Sequence, residues 1–194
     1  MLFFITPVPS IIMHSDIDKI LYDRNTIADR VTSLGREIAR DLEAATDHTD
    51  EIILVPILTG SIVFLADLIR HLPQKLRIGL ISVRSYHGRS TTGKDLSLRS
   101  DIPPSLGGKH VIIIDDILDT GKTLNTVSSI IKEQNPASLR TCVLMRKIIK
   151  DRPLLEADYI GFDIPDEFVV GYGLDYDDYY RNLPDIATLR PDAL

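Results

Sequence analysis

"VIIIDDILDTGKTL", residues 111–124, joins two kinds of sequence that seldom meet. Val111, Ile112, Ile113 and Ile114 form an unbroken β-branched run, the pattern of a strand covered on both faces; a strand with one wet face alternates instead. Asp115 and Asp116 follow at once, then Asp119, then Thr120-Gly121-Lys122-Thr123. In an open sheet of parallel strands, ligands gather beyond the carboxyl ends of the strands. Carboxylates delivered there suit sugar hydroxyls or a hydrated Mg2+, which prefers oxygen ligands and keeps much of its water. The four residues after Asp119 open a helix, whose first N–H groups lack intrahelical partners and so form a phosphate site. Taken singly, each acid could be a solvated turn residue and Asp119 a helix N-cap. Taken together, the segment can grip a sugar phosphate at both ends.

The flanking sequence supports that geometry. From Thr26 the apolar positions Ile27, Val31, Leu34, Ile38 and Leu42 recur at helical spacing, with Asn25 or Thr26 as the cap. Residues 51–58, "EIILVPIL", predict a second doubly covered strand, and "SIVFLADLIRHL" a helix ending before Pro73. A strand is expected over 75–83, a long loop over 84–108, a strand over 110–116, a helix over "TLNTVSSIIKEQ" and a strand over "SLRTCVLMR". This alternation predicts an α/β fold: a mostly parallel central sheet flanked by helices, with right-handed crossovers. The short pieces "YIGFDI", "FVVGYGL" and "IATL" suggest a small C-terminal or N-terminal hood. The expected organisation is one domain over 14–194, core about 25–150 and hood largely 151–194, with 1–13 an N-terminal extension or a packed arm.

Composition narrows the function. A formal net charge of -6 with no stripe of Lys and Arg argues against general nucleic-acid binding. The apolar N-terminus lacks a basic n-region and is too short to span a bilayer, so no membrane partner is expected. A single cysteine, Cys142, excludes an internal disulfide and a cysteine-based zinc cluster, and fits a reducing, cytoplasmic setting. "GKT" is not a Walker A loop, because the required glycine five residues before Gly121 is Asp116. The DDxxD spelling of isoprenyl diphosphate synthases belongs to a helix, and "VIII" is a strand.

"VIIIDDILDTGKT" resembles the phosphoribosyl-pyrophosphate signature of the type I phosphoribosyltransferases. "LTGS" at 58–61, "SY" at 85–86 and "IGFDIPDEFVVGYGLDYDDYYRNLP" at 160–184 narrow the resemblance to the hypoxanthine-guanine branch of that family. The resemblance implies transfer of a 5-phosphoribosyl group from its pyrophosphate to N9 of a 6-oxopurine, with Mg2+. It implies Asp119 as general base near purine N7, Asp115 and Asp116 on the ribose hydroxyls, and Thr120, Gly121, Lys122 and Thr123 on the 5'-phosphate. Leu58, Thr59 and Gly60 would form the pyrophosphate loop, with a cis peptide between the first two, and Arg181 a further pyrophosphate contact. Relatives often carry Lys or Arg where this chain has Thr59.

On the same basis Lys147 would donate to purine O6, with neighbouring Arg146 the residue most easily mistaken for it. Phe168 would stack on the base and the Val169 backbone read its edge. Asp175 would hold Mg2+ through water, with Asp115 and Asp116 reaching metal only indirectly. Ser85 and Tyr86 would belong to a mobile loop closing over the site, and Glu167 replaces a lysine of some relatives. A homodimer or homotetramer is implied. A regulator binding RNA or DNA on the same fold is disfavoured by the charge, and a uracil- or xanthine-preferring transferase by Lys147 and "IPDEFVVGYGLDY".

Overall fold

The structure, a computed structural model, describes residues 15–47, 50–84, 97–101, 105–150 and 156–193. Its central strand is the one the sequence singles out. Strand β6 (His110–Leu118) lies between β2 (Ile52–Leu58) and β7 (Ser138–Ile148), both parallel to it. Because successive side chains point to opposite faces, its run divides between two cores. Ile112 and Ile114 pack with Ile52, Leu54, Cys142 and Leu144 under α1 (Arg24–Ala45) and α2 (Ile62–Leu68). Val111 and Ile113 pack with Ile53, Val55 and Val143 under α3 (Lys122–Lys132). Each buried Ile or Leu contributes roughly 1.5–3 kcal/mol relative to exposure.

The strand begins at His110 and carries Asp115 and Asp116 within it, as expected, and runs two residues past the expected end at 116, to Leu118. Asp115 pairs with Val143 and Ile117 with Met145, so the acids are held at fixed positions by the ladder to β7. The expected strand over 75–83 breaks at Gly79 into β3 (Leu76–Ile78) and β4 (Leu80–Arg84), both parallel to β2. The break lies beside Val55 and Pro56, where proline has no N–H to give to the ladder. The expected loop over 84–108 contains β5 (Ser97–Asp101), antiparallel to β4 at the sheet edge; its sequence, SLRSD, is too polar to announce a strand.

The hood is a separate antiparallel sheet in the order β1-β10-β9, formed by Ile17–Tyr22, Ile186–Leu189 and Val169–Val170. Strand β8 (Tyr159–Pro165), within the segment expected to form the hood, instead extends the main sheet beside β7. Helix α1 also starts earlier than its apolar spacing indicates. Asp23, in extended conformation, accepts from Asn25 N–H at 3.0 Å and Thr26 N–H at 2.8 Å, so the cap is Asp23 rather than Asn25 or Thr26. One short carboxylate satisfies two orphan amides.

Those bonds hold the Asp23 carboxyl below its usual range, led by the Thr26 amide. A lowered folded-state value contributes stability that is present above about pH 4 and lost as pH falls through it. We therefore expect Asp23→Ala to lower the denaturant midpoint at neutral pH with an unchanged m-value. Asp23→Ser should recover most of the loss, and the difference from wild type should shrink in acid.

Candidate active site

Two neighbouring parallel strands end at the same edge and there build a cavity of about 310 Å3, lined by residues 57–60 and 115–124. From β2 come Leu58, Thr59 and Gly60, with a cis peptide between Leu58 and Thr59. From β6 come Asp115, Asp116 and Asp119, then Thr120, Gly121, Lys122 and Thr123. The two walls meet with almost no spacing. A Cβ on Gly60 would lie 1.7 Å from Asp116 Oδ2, and one on Gly173 of the hood 2.2 Å from the Gly60 carbonyl oxygen. No side chain fits at either position.

Gly121 is the N-cap of α3 with φ at 73°, a left-handed conformation that costs other residues energy, and it offers no capping side chain. The first amides of α3 therefore keep their hydrogen-bonding capacity toward the cavity, in contrast to those of α1. With the helix dipole, they can receive a phosphate. Thr120 and Lys122 are exposed beside them.

The acids are held in an unfavourable state. Burial pushes Asp115 well above the usual carboxylate range, and the Asp116 charge beside it pushes further. Asp116 is also raised by burial, against hydrogen bonds that favour its ionised form; the Ile117 N–H donates to its Oδ1 at 2.9 Å. Asp119 differs, with its side chain about half exposed and Lys147 Nζ 3.5 Å from its Oδ2.

Lys147 comes from β7, is 13% exposed, and lies 3.2 Å from Asp166 Oδ1 as well. Arg146 is engaged elsewhere: it makes two hydrogen bonds to Asp163, at 2.7 and 3.0 Å, and pairs with Glu156. Phe168 is exposed and meets the Tyr176 ring edge-on at 5.3 Å. Val169 is buried in β9, paired with Thr188. Glu167 is ion-paired to Lys19 of β1 at 3.0 Å, which gives the substituted position a partner inside the hood.

Asp175 and Arg181 stand together in the hood rather than on the cavity wall. The Arg181 guanidinium lies 2.8 Å from Asp175 Oδ1 and donates to the Gly173 carbonyl at 2.9 Å. It lines a second cavity of about 310 Å3 with Arg24, Asp67 and Tyr172, and its charge reaches Asp116. Ser85 and Tyr86 lie outside the described residues, as do 1–13. Among the described residues no three His, Cys, Asp or Glu are grouped to hold a metal ion, and no helix is long and apolar enough to cross a membrane. Cys142 is buried and its thiol pushed up by that burial, so it is no nucleophile.

Sequence reasoning overlooked Asp166, whose only local signal is an acid between Pro165 and the aromatic position. It also overlooked the apolar walls Ile57, Ile117, Leu118 and Leu124, which read simply as core.

Residues 19–177 match the family model of the phosphoribosyl transferase domain. The chain belongs to the phosphoribosyltransferase family. Among its relatives, the hypoxanthine-guanine phosphoribosyltransferase of Streptococcus pneumoniae is 36% identical over 181 residues, covering 93% of this chain and 98% of that one. The hypoxanthine-guanine phosphoribosyltransferase structure from Bacillus anthracis is 38% identical with a TM-score of 0.78, covering 90% and 99%. The hypoxanthine phosphoribosyltransferase of Trypanosoma cruzi in complex with its product IMP is 37% identical with a TM-score of 0.83, covering 94% and 99%. The mostly parallel sheet with its hood is thus the type I phosphoribosyltransferase fold.

The raised acids make a measurable prediction. A carboxyl whose folded-state value is raised contributes stability below its unfolded value, and this is lost as pH rises through the folded value. Asp115→Asn removes that penalty, so the unliganded variant should be more stable than wild type at neutral pH. Thermal unfolding across pH should show the two converging below about pH 4, where Asp115 is protonated in both states.

Proposed function

We propose that this phosphoribosyltransferase moves the 5-phosphoribosyl group from phosphoribosyl pyrophosphate to N9 of hypoxanthine or guanine, giving IMP or GMP and pyrophosphate. The single observation that carries this reading is the shared cavity, which joins the uncapped amides of α3 to buried Asp115, half-buried Asp116 and the Gly60 loop. The 5'-phosphate belongs on Gly121, Lys122 and Thr123, with Thr120 beside them. The ribose hydroxyls belong on Asp115 and Asp116, where their donated hydrogen bonds relieve two dehydrated carboxylates. Leu58, Thr59 and Gly60 offer backbone to the pyrophosphate, and Arg181 a charge.

Loss of pyrophosphate leaves an oxocarbenium-like sugar, so the chain's task is to position the partners and stabilise charge. Lys147 donates to purine O6, which selects 6-oxo bases; an adenine amino group would leave that donor unpaired. Asp119 takes a proton at N7 as N9 bonds to the sugar. Phe168 stacks on the base and the Val169 backbone reads its edge. A Mg2+ that arrives with its substrate would meet carboxylate oxygens: Asp175, whose present partners are Arg181 and the Asp178 N–H, and, through ribose or water, Asp115 and Asp116. Such an ion would neutralise the leaving diphosphate. The reading includes a cytoplasmic enzyme forming a homodimer or homotetramer, for which exposed Ile62, Ile78 and Leu80 are available apolar positions.

Purified protein with Mg2+, phosphoribosyl pyrophosphate and hypoxanthine or guanine should release pyrophosphate; no turnover with any 6-oxopurine overturns the reading. Asp119→Asn should lower kcat by about a hundredfold, the low end for acid-base catalysis because the sugar's bond breaking dominates. Its affinity for IMP should change far less, and equal losses would remove the base role.

A further inference from the structure

We infer that Asp166 is a positioning residue for the purine end of the site, holding the Lys147 ammonium so that Asp119 is free to act on the base. The inference rests on the transferase reading and adds a residue that the reading does not use.

Lys147 Nζ stands between two carboxylates, 3.2 Å from Asp166 Oδ1 and 3.5 Å from Asp119 Oδ2. Its side chain is only 13% exposed, so the stem is packed and the ammonium is directed to these two carboxylates, each about half exposed. Lysine is a point charge on a rotatable stem, and its position is set by what it pairs with. Of the two contacts, that to Asp166 satisfies hydrogen-bond geometry.

Asp166 is itself well fixed. It follows Pro165, the last residue of β8, which is paired with Ile148, the neighbour of Lys147 on β7. The Glu167 N–H closes a tight turn by donating to the Pro165 carbonyl at 2.8 Å. The Glu167 side chain pairs with Lys19 of β1, which ties the far side of the turn to the hood. Arg146 does not compete for Asp166, being engaged by Asp163 and Glu156.

When a 6-oxopurine enters, Asp119 turns to N7 and Lys147 to O6. The ammonium then gives up one carboxylate, and Asp166 is the one that stays. Without it, the ammonium has Asp119 as its remaining anion, and that pairing occupies the base and withdraws the donor from O6. Asp166 therefore acts through Lys147 and should affect the purine far more than the sugar substrate.

The test compares wild type, Asp166→Asn, which keeps size and removes charge, and Asp166→Glu, each alone and with Lys147→Ala. Asp166→Asn should raise KM for hypoxanthine about tenfold while KM for phosphoribosyl pyrophosphate stays within about twofold, and Asp166→Glu should recover most of the loss. IMP affinity by calorimetry should weaken about tenfold on Asp166→Asn in the wild-type background and not at all in the Lys147→Ala background. Measuring IMP binding keeps the comparison available if Lys147→Ala is inactive. An equal rise in both KM values, unchanged KM values and IMP affinity, or an Asp166→Asn effect that persists in full with Lys147→Ala overturns the inference. In each of those cases an active wild type leaves the transferase reading standing. A wild type that neither turns over a 6-oxopurine nor binds IMP removes both.

Discussion

The site depends on one close approach. Asp116, near the end of β6, lies where a side chain on Gly60 would be, and the Gly60 carbonyl lies where a side chain on Gly173 would be. Three chain segments, from two neighbouring strands and the hood, thus nest with only the Asp116 carboxylate between the first two and bare backbone between the Gly60 loop and Gly173. The approach explains why the loop 58–60, the acids Asp115 and Asp116 and the hood share one edge of the sheet. It also explains the burial of Asp116, since atoms that exclude side chains exclude most water as well. Arg181 reaches the same spot from the hood, bound to the Gly173 carbonyl, and its charge offsets part of what burial costs Asp116.

The cavity and the Lys147 cluster beside Asp119 treat charge in opposite ways. In the cavity, Asp115 and Asp116 are raised by burial and the first amides of α3 are left uncapped. A ligand carrying hydroxyls and phosphate relieves an existing cost there. At the Lys147 end, the ammonium is already paired with Asp119 and Asp166, so under the proposed function a base would replace part of an existing ion pair. Partly buried pairs with good geometry are costly to break by removing one member, and far less costly when an incoming acceptor substitutes for it. Purine O6 is such an acceptor.

Much of this was legible in sequence because it is local. The doubly buried run of β6, the acids after it and the glycine opening α3 are adjacent residues, and strand periodicity alone carries them to a sheet edge. The misses have local causes too. Gly79 and Pro56 break a strand that hydropathy runs together, β5 is polar, and Asp23 caps α1 from outside the apolar period. The pairings of Asp166 with Lys147 and of Lys19 with Glu167 were illegible because the partners are apart in sequence, by 19 and 148 residues. The clearance between Gly60, Asp116 and Gly173 is of the same kind, since no pattern in one segment signals another's backbone.

The Asp166–Glu167 turn shows why the hood belongs with the sheet. Strand β8 extends the main sheet beside β7, and its last residue delivers Asp166 to a lysine of that sheet; the next residue binds β1 of the hood. Phe168 follows immediately, then Val169 enters the hood sheet against Thr188. Four consecutive residues thus pass from an ion pair in one sheet to a backbone ladder in the other. The exposed Lys19–Glu167 pair contributes little stability by itself. Its value lies in registry: it fixes the turn on the side away from Lys147, so that the aromatic face and the ammonium that would meet one purine are set by the same short stretch of backbone.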